Sequence, residues 1–206
     1  MPVIKPLDEQ AFLKQHLPAS AVPGIHQLLV NYKVHLHVTR ARSGKLGDYC
    51  HNRNGVKHTI SINHNLHPYQ FLITVLHELA HMMVKEKYKK RLKPHGNEWN
   101  KEFVELSIPY LNADVFPEDV KKAFTLHLQK GYASTSVDVD LMTVLRNYEG
   151  KAFARTIQQL SEGAVFEYNG RVFKKGSLIR KRYKCLCLDN NRDYLFSPLA
   201  EIKDAV

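Results

Sequence analysis

Apolar residues recur along this chain in several rhythms, and the changes of rhythm mark its elements. Residues 7–32 read as helical, divided by Pro18 and Pro23 into a short helix and a longer one that carries Ile25, Leu28, Leu29 and Tyr32. Val34, Leu36 and Val38 then alternate with His35, His37 and Thr39, which predicts a half-buried strand with both histidines on its polar face. Ser43 and Gly44 suggest a turn, residues 46–51 a second strand, and His58 opens a third through Ile60 and Ile62. The run Asn52, Arg53, Asn54, Gly55 is expected to be the hairpin turn between these two. Residues 69–88 contain no Gly or Pro after Pro68, and Phe71, Leu72, Val75, Leu76, Leu79, Met82 and Met83 give them an apolar surface broad enough for a buried helix.

Further helices are expected over residues 97–108, stopped by Pro109, and over 117–128. Residues 131–140, with Ser134, Thr135 and Ser136, read as a linker, and 140–148 as a short helix. From about Gly150 the pattern is of strands. Residues 164–168, the turn Asn169-Gly170 and residues 171–174 form the strongest hairpin signal in the chain, followed by strands over 178–188 and 193–196. The fold class is therefore α+β, with a domain at residues 1–148 and a small β module of three or four strands at 149–206.

The most specific chemistry lies in the buried helix. His77 and His81 are four residues apart, so their imidazoles share a face and can reach one metal ion, and Glu78 sits about 100° around the helix, close enough to act on a water beside that ion. This is the H-E-x-x-H arrangement of a zinc hydrolase with its own general base. A catalytic zinc takes three protein ligands and leaves a fourth position open. His95, past a basic segment that ends at Pro94 and followed by Gly96, is the preferred third ligand, the glycine letting the backbone turn as the next helix begins. Glu98 and Glu102 are its rivals. Val84 and Lys87 occupy the positions of Gly and His in the compact H-E-x-x-H-x-x-G-x-x-H form and exclude it, and no motif around Cys50 fits a cysteine-ligated site. Trp99, Phe103 and Leu106 have core spacing, so Trp99 is expected to pack behind His95.

Charge adds a partner. The 206 residues carry a net charge of +10. Lys85, Lys87, Lys89, Lys90, Arg91 and Lys93 face one acid, Glu86, in one cluster, and Arg171, Lys174, Lys175, Arg180, Lys181, Arg182 and Lys184 face none in the other. Such clusters attract phosphate backbones without sequence specificity. Lys89, Lys90, Arg91, Lys93, Arg180, Lys181, Arg182 and Lys184 are the expected contacts to DNA, with Phe166, Tyr168, Phe173 and Tyr183 interleaved where they can stack on unpaired bases. A solvated charged surface over an aromatic core is the simpler alternative. Three cysteines without framework spacing fit a reducing compartment, and no stretch resembles a leader or a membrane span, so a soluble cytoplasmic protein is expected, at the nucleoid if DNA is its partner.

The residues His77-Glu78-Leu79-Ala80-His81, His95-Gly96-Asn97-Glu98-Trp99, Gly47-Asp48-Tyr49 and the run from Thr59 to Leu66 together resemble the SprT-like family, which includes the Spartan proteases of DNA-protein crosslinks. The resemblance covers roughly residues 20–130. It implies a zincin-like metalloprotease core, one Zn²⁺ held by His77, His81 and His95, Glu78 as catalytic base, and protein substrates on or crosslinked to DNA. One departure is clear: Cys185 and Cys187 cannot supply the four-cysteine zinc ribbon found in many members, so packing must replace that metal in any ribbon-like module. Two other functions stay open, a nucleic-acid-associated protein whose zinc is structural or vestigial and a hydrolase of non-peptide amides.

Overall fold

The computed structural model describes residues 6–42, 44–88, 92–132, 135, 138–148 and 155–204. The chain divides into two compact units, Met1–Glu149 and Gly150–Val206. Ser43, Ser134, Ser136 and Gly150, which the sequence marks as turn, linker and boundary, lie outside the described residues, as do Lys89, Lys90 and Arg91.

The first unit begins with helices α1 (Pro6–His16) and α2 (Val22–Asn31), which meet through a 3-10 turn at Ala19–Ala21 after Pro18. Strands β1 (Val34–Thr39), β2 (Gly47–Arg53) and β3 (Val56–Asn63) follow, with spatial order β1-β3-β2. β2 and β3 form the expected hairpin, although its turn is tighter than the four residues read from sequence. Arg53 already pairs with Val56, and only Asn54 (φ 50°) and Gly55 (φ 77°) make the loop, both left-handed as a type I′ turn requires. β1 joins β3 in parallel, from Val34 opposite His58 to Thr39 opposite Asn63. In β1 Val34 and Leu36 are buried while His35 and His37 are exposed, as the alternation predicts.

α3 (Pro68–Lys87) is the centre of this unit. Pro68 occupies its first turn, the His67 ring accepts the Tyr69 N–H at 3.4 Å, and Lys85 and Lys87 oppose the dipole at its end. It is buried on nearly every side: Ile60 and Ile62 of β3 belong to the same core as Phe71, Leu72, Val75, Leu76 and Leu79. α4 (Asn97–Asn112) packs against it through Trp99 and Phe103, and α5 (Glu118–Lys130) and α6 (Val139–Arg146) complete the unit.

Two boundaries differ from the sequence reading for identifiable reasons. Pro109 does not stop α4, which runs on to Asn112. The proline is exposed and falls in the last turns, where it forfeits only the bond to the Glu105 carbonyl, and burial of Tyr110 rewards the extra turn. α6 begins at Val139 rather than Asp140 because Asp138 caps it, accepting the Leu141 N–H at 3.3 Å.

The second unit contains β4 (Val165–Tyr168), β5 (Arg171–Ile179), β6 (Arg182–Cys187), β7 (Arg192–Phe196) and β8 (Lys203–Asp204) in spatial order β7-β6-β5-β4-β8, five strands among its described residues. The continuous strand expected over residues 178–188 is two strands. Ile179 pairs with Arg182 across a loop of Arg180 and Lys181, and Arg180 adopts φ 56° without the glycine that would have marked it. The core of the module is Phe166, Phe173, Cys185, Cys187, Phe196 and Ile202. Both cysteines are thus small apolar filling. Among the described residues no helix is long and apolar enough to cross a membrane.

A β-bulge separates Lys175 from Leu178 in β5, and it brings Gly176 against the backbone carbonyl of Lys184. A Cβ at Gly176 would overlap that carbonyl, and a backbone atom held in a ladder cannot swing away. Gly176→Ala is therefore expected to destabilise the module by about 2–3 kcal/mol, read as a lower urea midpoint and faster amide exchange in β5 and β6. Unchanged exchange there would show that the bulge relaxes freely.

Candidate metal centre

α3 presents His77 and His81 one turn apart towards a half-open cleft of about 540 Å³, and the third histidine reaches them from the loop before α4. That loop closes as a turn in which the Gly96 N–H donates to the Lys93 carbonyl at 3.1 Å. Pro94 presets its first central residue and His95 takes the second at φ 55°, the pattern of a type II turn with histidine where glycine is usual. The sequence reading assigned the bend to Gly96, but Gly96 is extended and its lack of a side chain serves close packing: a Cβ there would stand 3.1 Å from the Lys93 carbonyl. The strain sits on His95 itself.

The result is a triangle of Nε2 atoms. His77 to His81 is 3.2 Å, His81 to His95 is 3.0 Å and His95 to His77 is 3.2 Å. A ring nitrogen carries either a proton or a lone pair, so three mutually close nitrogens cannot all be complementary; at least one edge joins like with like. Adding a proton to any ring is opposed. Burial and then the neighbouring histidines hold His77 down at about 3, burial and His95 hold His81 at about 4, and burial lowers His95. A cation that accepts all three lone pairs removes the conflict. Nitrogen ligands about 2.0–2.1 Å from a tetrahedral ion stand roughly 3.3–3.4 Å apart, within a few tenths of an ångström of the observed edges. His77, His81 and His95 thus form a group that can hold a metal ion. Three imidazoles suit zinc, copper, iron or nickel alike.

Trp99 holds this triangle from behind. Its ring centroid lies 4.7 Å from those of His77 and His95 and 5.5 Å from that of His81, and its Nε1 donates to the His77 carbonyl at 3.4 Å. Neither rival carboxylate belongs to the histidine group. Glu102 is buried in an ion pair with Lys87 at 2.7 Å, and Glu98 occupies the first turn of α4, where a negative charge suits the helix dipole.

Glu78 points from α3 into the same cleft and is 6 % exposed. Burial, and secondarily the Asp48 charge, push its carboxyl from the ordinary 4.5 up to about 7, against a smaller opposing pull from the backbone N–H of Tyr49. β2, an edge of its sheet, supplies this wall. Gly47 approaches so closely that a Cβ would stand 2.7 Å from Glu78 Oε1 and 2.7 Å from Thr74 Cγ2. A lone glycine inside a strand is the sequence signal for such an approach. The rim before β2 is pinned by Arg42, whose Nε donates to Asn63 Oδ1 at 2.8 Å and Nη1 to Ser61 Oγ at 3.1 Å, while Asn63 Nδ2 donates to the Lys45 carbonyl at 2.9 Å. The sequence gives these pinning residues no evident part in the site, nor Ile73, Thr74 and Thr135, which line the cleft.

The expected DNA contacts fare unevenly. Lys93, Arg180, Lys181 and Arg182 are exposed, Lys184 is exposed but paired with Asp193 at 2.8 Å, and Lys89, Lys90 and Arg91 lie outside the described residues. Lys87 is neutralised by Glu102. Lys175 is buried, donating to the Leu160 carbonyl with its Nζ 4.0 Å from the Tyr183 ring centroid, so it does not belong to the charged surface. Phe166 and Phe173 are core residues and cannot stack on bases, because the alternation of β4 and β5 turns them inward; Tyr168 and Tyr183 remain half-buried.

Compared with protein-family models, curated proteins and solved structures, the chain matches none, and the reading of the site rests on its own geometry.

The Glu78 pKa makes a thermodynamic prediction for metal-free protein. A carboxyl raised on folding contributes stability that is fully present below 4.5 and lost as pH rises through about 7. Above that pH the buried charge costs about 3 kcal/mol. Glu78→Gln should therefore be the more stable protein above pH 7, with the advantage fading as pH falls towards 4.5, as urea unfolding at several pH values will show. An advantage independent of pH would mean that Glu78 is not buried as a charge.

Proposed function

We propose that this protein is a zinc-dependent metallopeptidase of the SprT-like kind, acting on extended protein segments. The observation that carries the reading is the joint placement of three converging imidazoles and a buried, proton-accepting carboxylate in one cleft beside a sheet edge. His77, His81 and His95 would hold the ion. When bound, zinc supplies a Lewis acid for the scissile carbonyl and lowers the pKa of a water to about 7.

The chain's own groups do the rest. Glu78, its pKa raised close to neutrality, takes the proton of the attacking water and returns it to the departing amine. Gly47 lets β2 lie close to the Glu78 side chain, where a Cβ would not fit, and the Tyr49 N–H bonds to the carboxylate and holds its direction. Among the described residues β2 is an edge strand at the cleft, so an extended peptide can add to it as a strand and bring its carbonyl to the histidines. This favours a peptide over a small amide, for which a closed pocket is the better container. A structural zinc is disfavoured by the donor set: structural sites have four protein ligands, and three are found here among the described residues.

The proposed partner is DNA, bound through its phosphates, with DNA-associated or crosslinked proteins as substrates. The net charge of +10 and the exposed Lys93, Arg180 and Arg182 support affinity for a polyanion, and the resemblance to the SprT-like family supports the substrate class.

Zinc-loaded protein should cleave a basic DNA-binding protein, faster with single-stranded DNA present and without that stimulation at high salt. Glu78→Gln should retain one zinc and lose about 10²–10⁴-fold in kcat. Retained cleavage in Glu78→Gln would remove Glu78 from the mechanism. Bound zinc with no cleavage by wild type under any DNA condition would instead support a binding protein.

A further inference from the structure

β2 is tied to α3 at a second point. Tyr49, two residues after Gly47 and on the same face, places its Oη 3.0 Å from Nδ1 of His58 on β3. The two rings are nearly parallel, with centroids 6.0 Å apart. On its other side His58 places Nε2 3.3 Å from Oε1 of Glu86, and Lys57 Nζ lies 2.9 Å from the same carboxylate. Glu86 belongs to α3, eight residues and about 12 Å beyond Glu78. His58 is 1 % exposed.

The direction of each hydrogen bond follows. Lys57 holds the Glu86 carboxyl below its ordinary range, so the carboxylate only accepts. His58, kept neutral by burial, must then carry its proton on Nε2 and leave Nδ1 as an acceptor. Burial raises the Tyr49 phenol, which stays protonated and donates to that Nδ1. The series Tyr49 to His58 to Glu86 has one self-consistent protonation pattern and spans from the strand that confines Glu78 to the helix that bears it.

We propose that Tyr49, His58 and Glu86 form a hydrogen-bonded strut that sets how closely the Gly47–Tyr49 backbone approaches Glu78, making His58 and Glu86 positioning residues for the general base. The inference rests on the peptidase reading for its catalytic consequence, but the strut itself does not. Gly47 lies too near Glu78 for a Cβ to fit, and the Tyr49 N–H bonds to the same carboxylate. Movement of β2 by a few tenths of an ångström therefore changes the room available to the carboxylate. A purely packing role for His58 would be satisfied by any side chain of suitable volume; a strut needs an acceptor for Tyr49 and a donor for Glu86 at once. Gln supplies both and Leu supplies neither.

The test uses the full chain carrying Tyr49→Phe, His58→Leu or His58→Gln. In zinc-free protein, amide exchange at Gly47 and Tyr49 should accelerate about 10-fold in Tyr49→Phe and His58→Leu and return close to wild type in His58→Gln. Nitrogen NMR of wild type should show His58 protonated at Nε2. With zinc, the first two variants should lose about 5–30-fold in kcat with KM within about twofold of wild type and zinc content unchanged, and His58→Gln should recover most of the loss. Protonation of His58 at Nδ1, or equal exchange in the Leu and Gln variants, overturns the strut whether or not the protein cleaves anything. Normal kcat in His58→Leu overturns its positioning role. Absence of cleavage by wild type with the exchange pattern intact overturns the peptidase reading and leaves the strut standing.

Discussion

Three imidazole nitrogens held 3.0–3.2 Å apart form an odd-membered ring of donors and acceptors that no arrangement of protons can satisfy. Much of the first unit serves to keep them there. The helical spacing of α3 supplies two of the three, the turn at Pro94 and His95 supplies the third, and Trp99 fills the space behind them so that none can rotate back into the core. Burial of α3 on nearly all sides fixes the helix against the sheet and so fixes the direction in which both of its histidines point. A metal ion would turn this frustration into binding energy, which is the physical reason to regard the triangle as a candidate metal centre.

The site concentrates features that ordinary stability would remove. His95 takes a left-handed backbone at a cost of about 1–2 kcal/mol, Glu78 buries a carboxyl beside Asp48, and Gly47 gives up a side chain within a strand. All three lie within one cleft. Local rules broken together at one place, against a core that otherwise obeys them, are what a preorganised functional site looks like. In the core of the second unit Cys185 and Cys187 are packed among aromatic rings.

How far residues foretold this arrangement depended on the range of the interactions involved. The fourfold spacing of His77 and His81, the Asn-Gly turns and the β1 alternation are local, and they appear in the structure as the sequence implies. His95 was reachable because ligand chemistry restricts the candidates, but the strain on its own backbone was not, since histidine carries no sign of a positive φ. Pro109 and the turn at Arg180 misled because tertiary gain, the burial of Tyr110 and the pairing of β5 with β6, overrides local preference. Lys175 reads as surface charge in any one-dimensional pattern; only the sheet shows that it is covered. Gly47 was visible as a residue and as part of a resemblance, while its closeness to Glu78 required the strand and helix to be brought together.

X-ray absorption at the zinc edge of the 206-residue chain, purified with zinc and analysed for metal content, tests the proposed metal centre most directly. The expected result is one zinc per chain with three nitrogen ligands at about 2.0–2.1 Å and one oxygen from solvent. Four protein ligands, a sulfur in the first shell, or no retained zinc would contradict it.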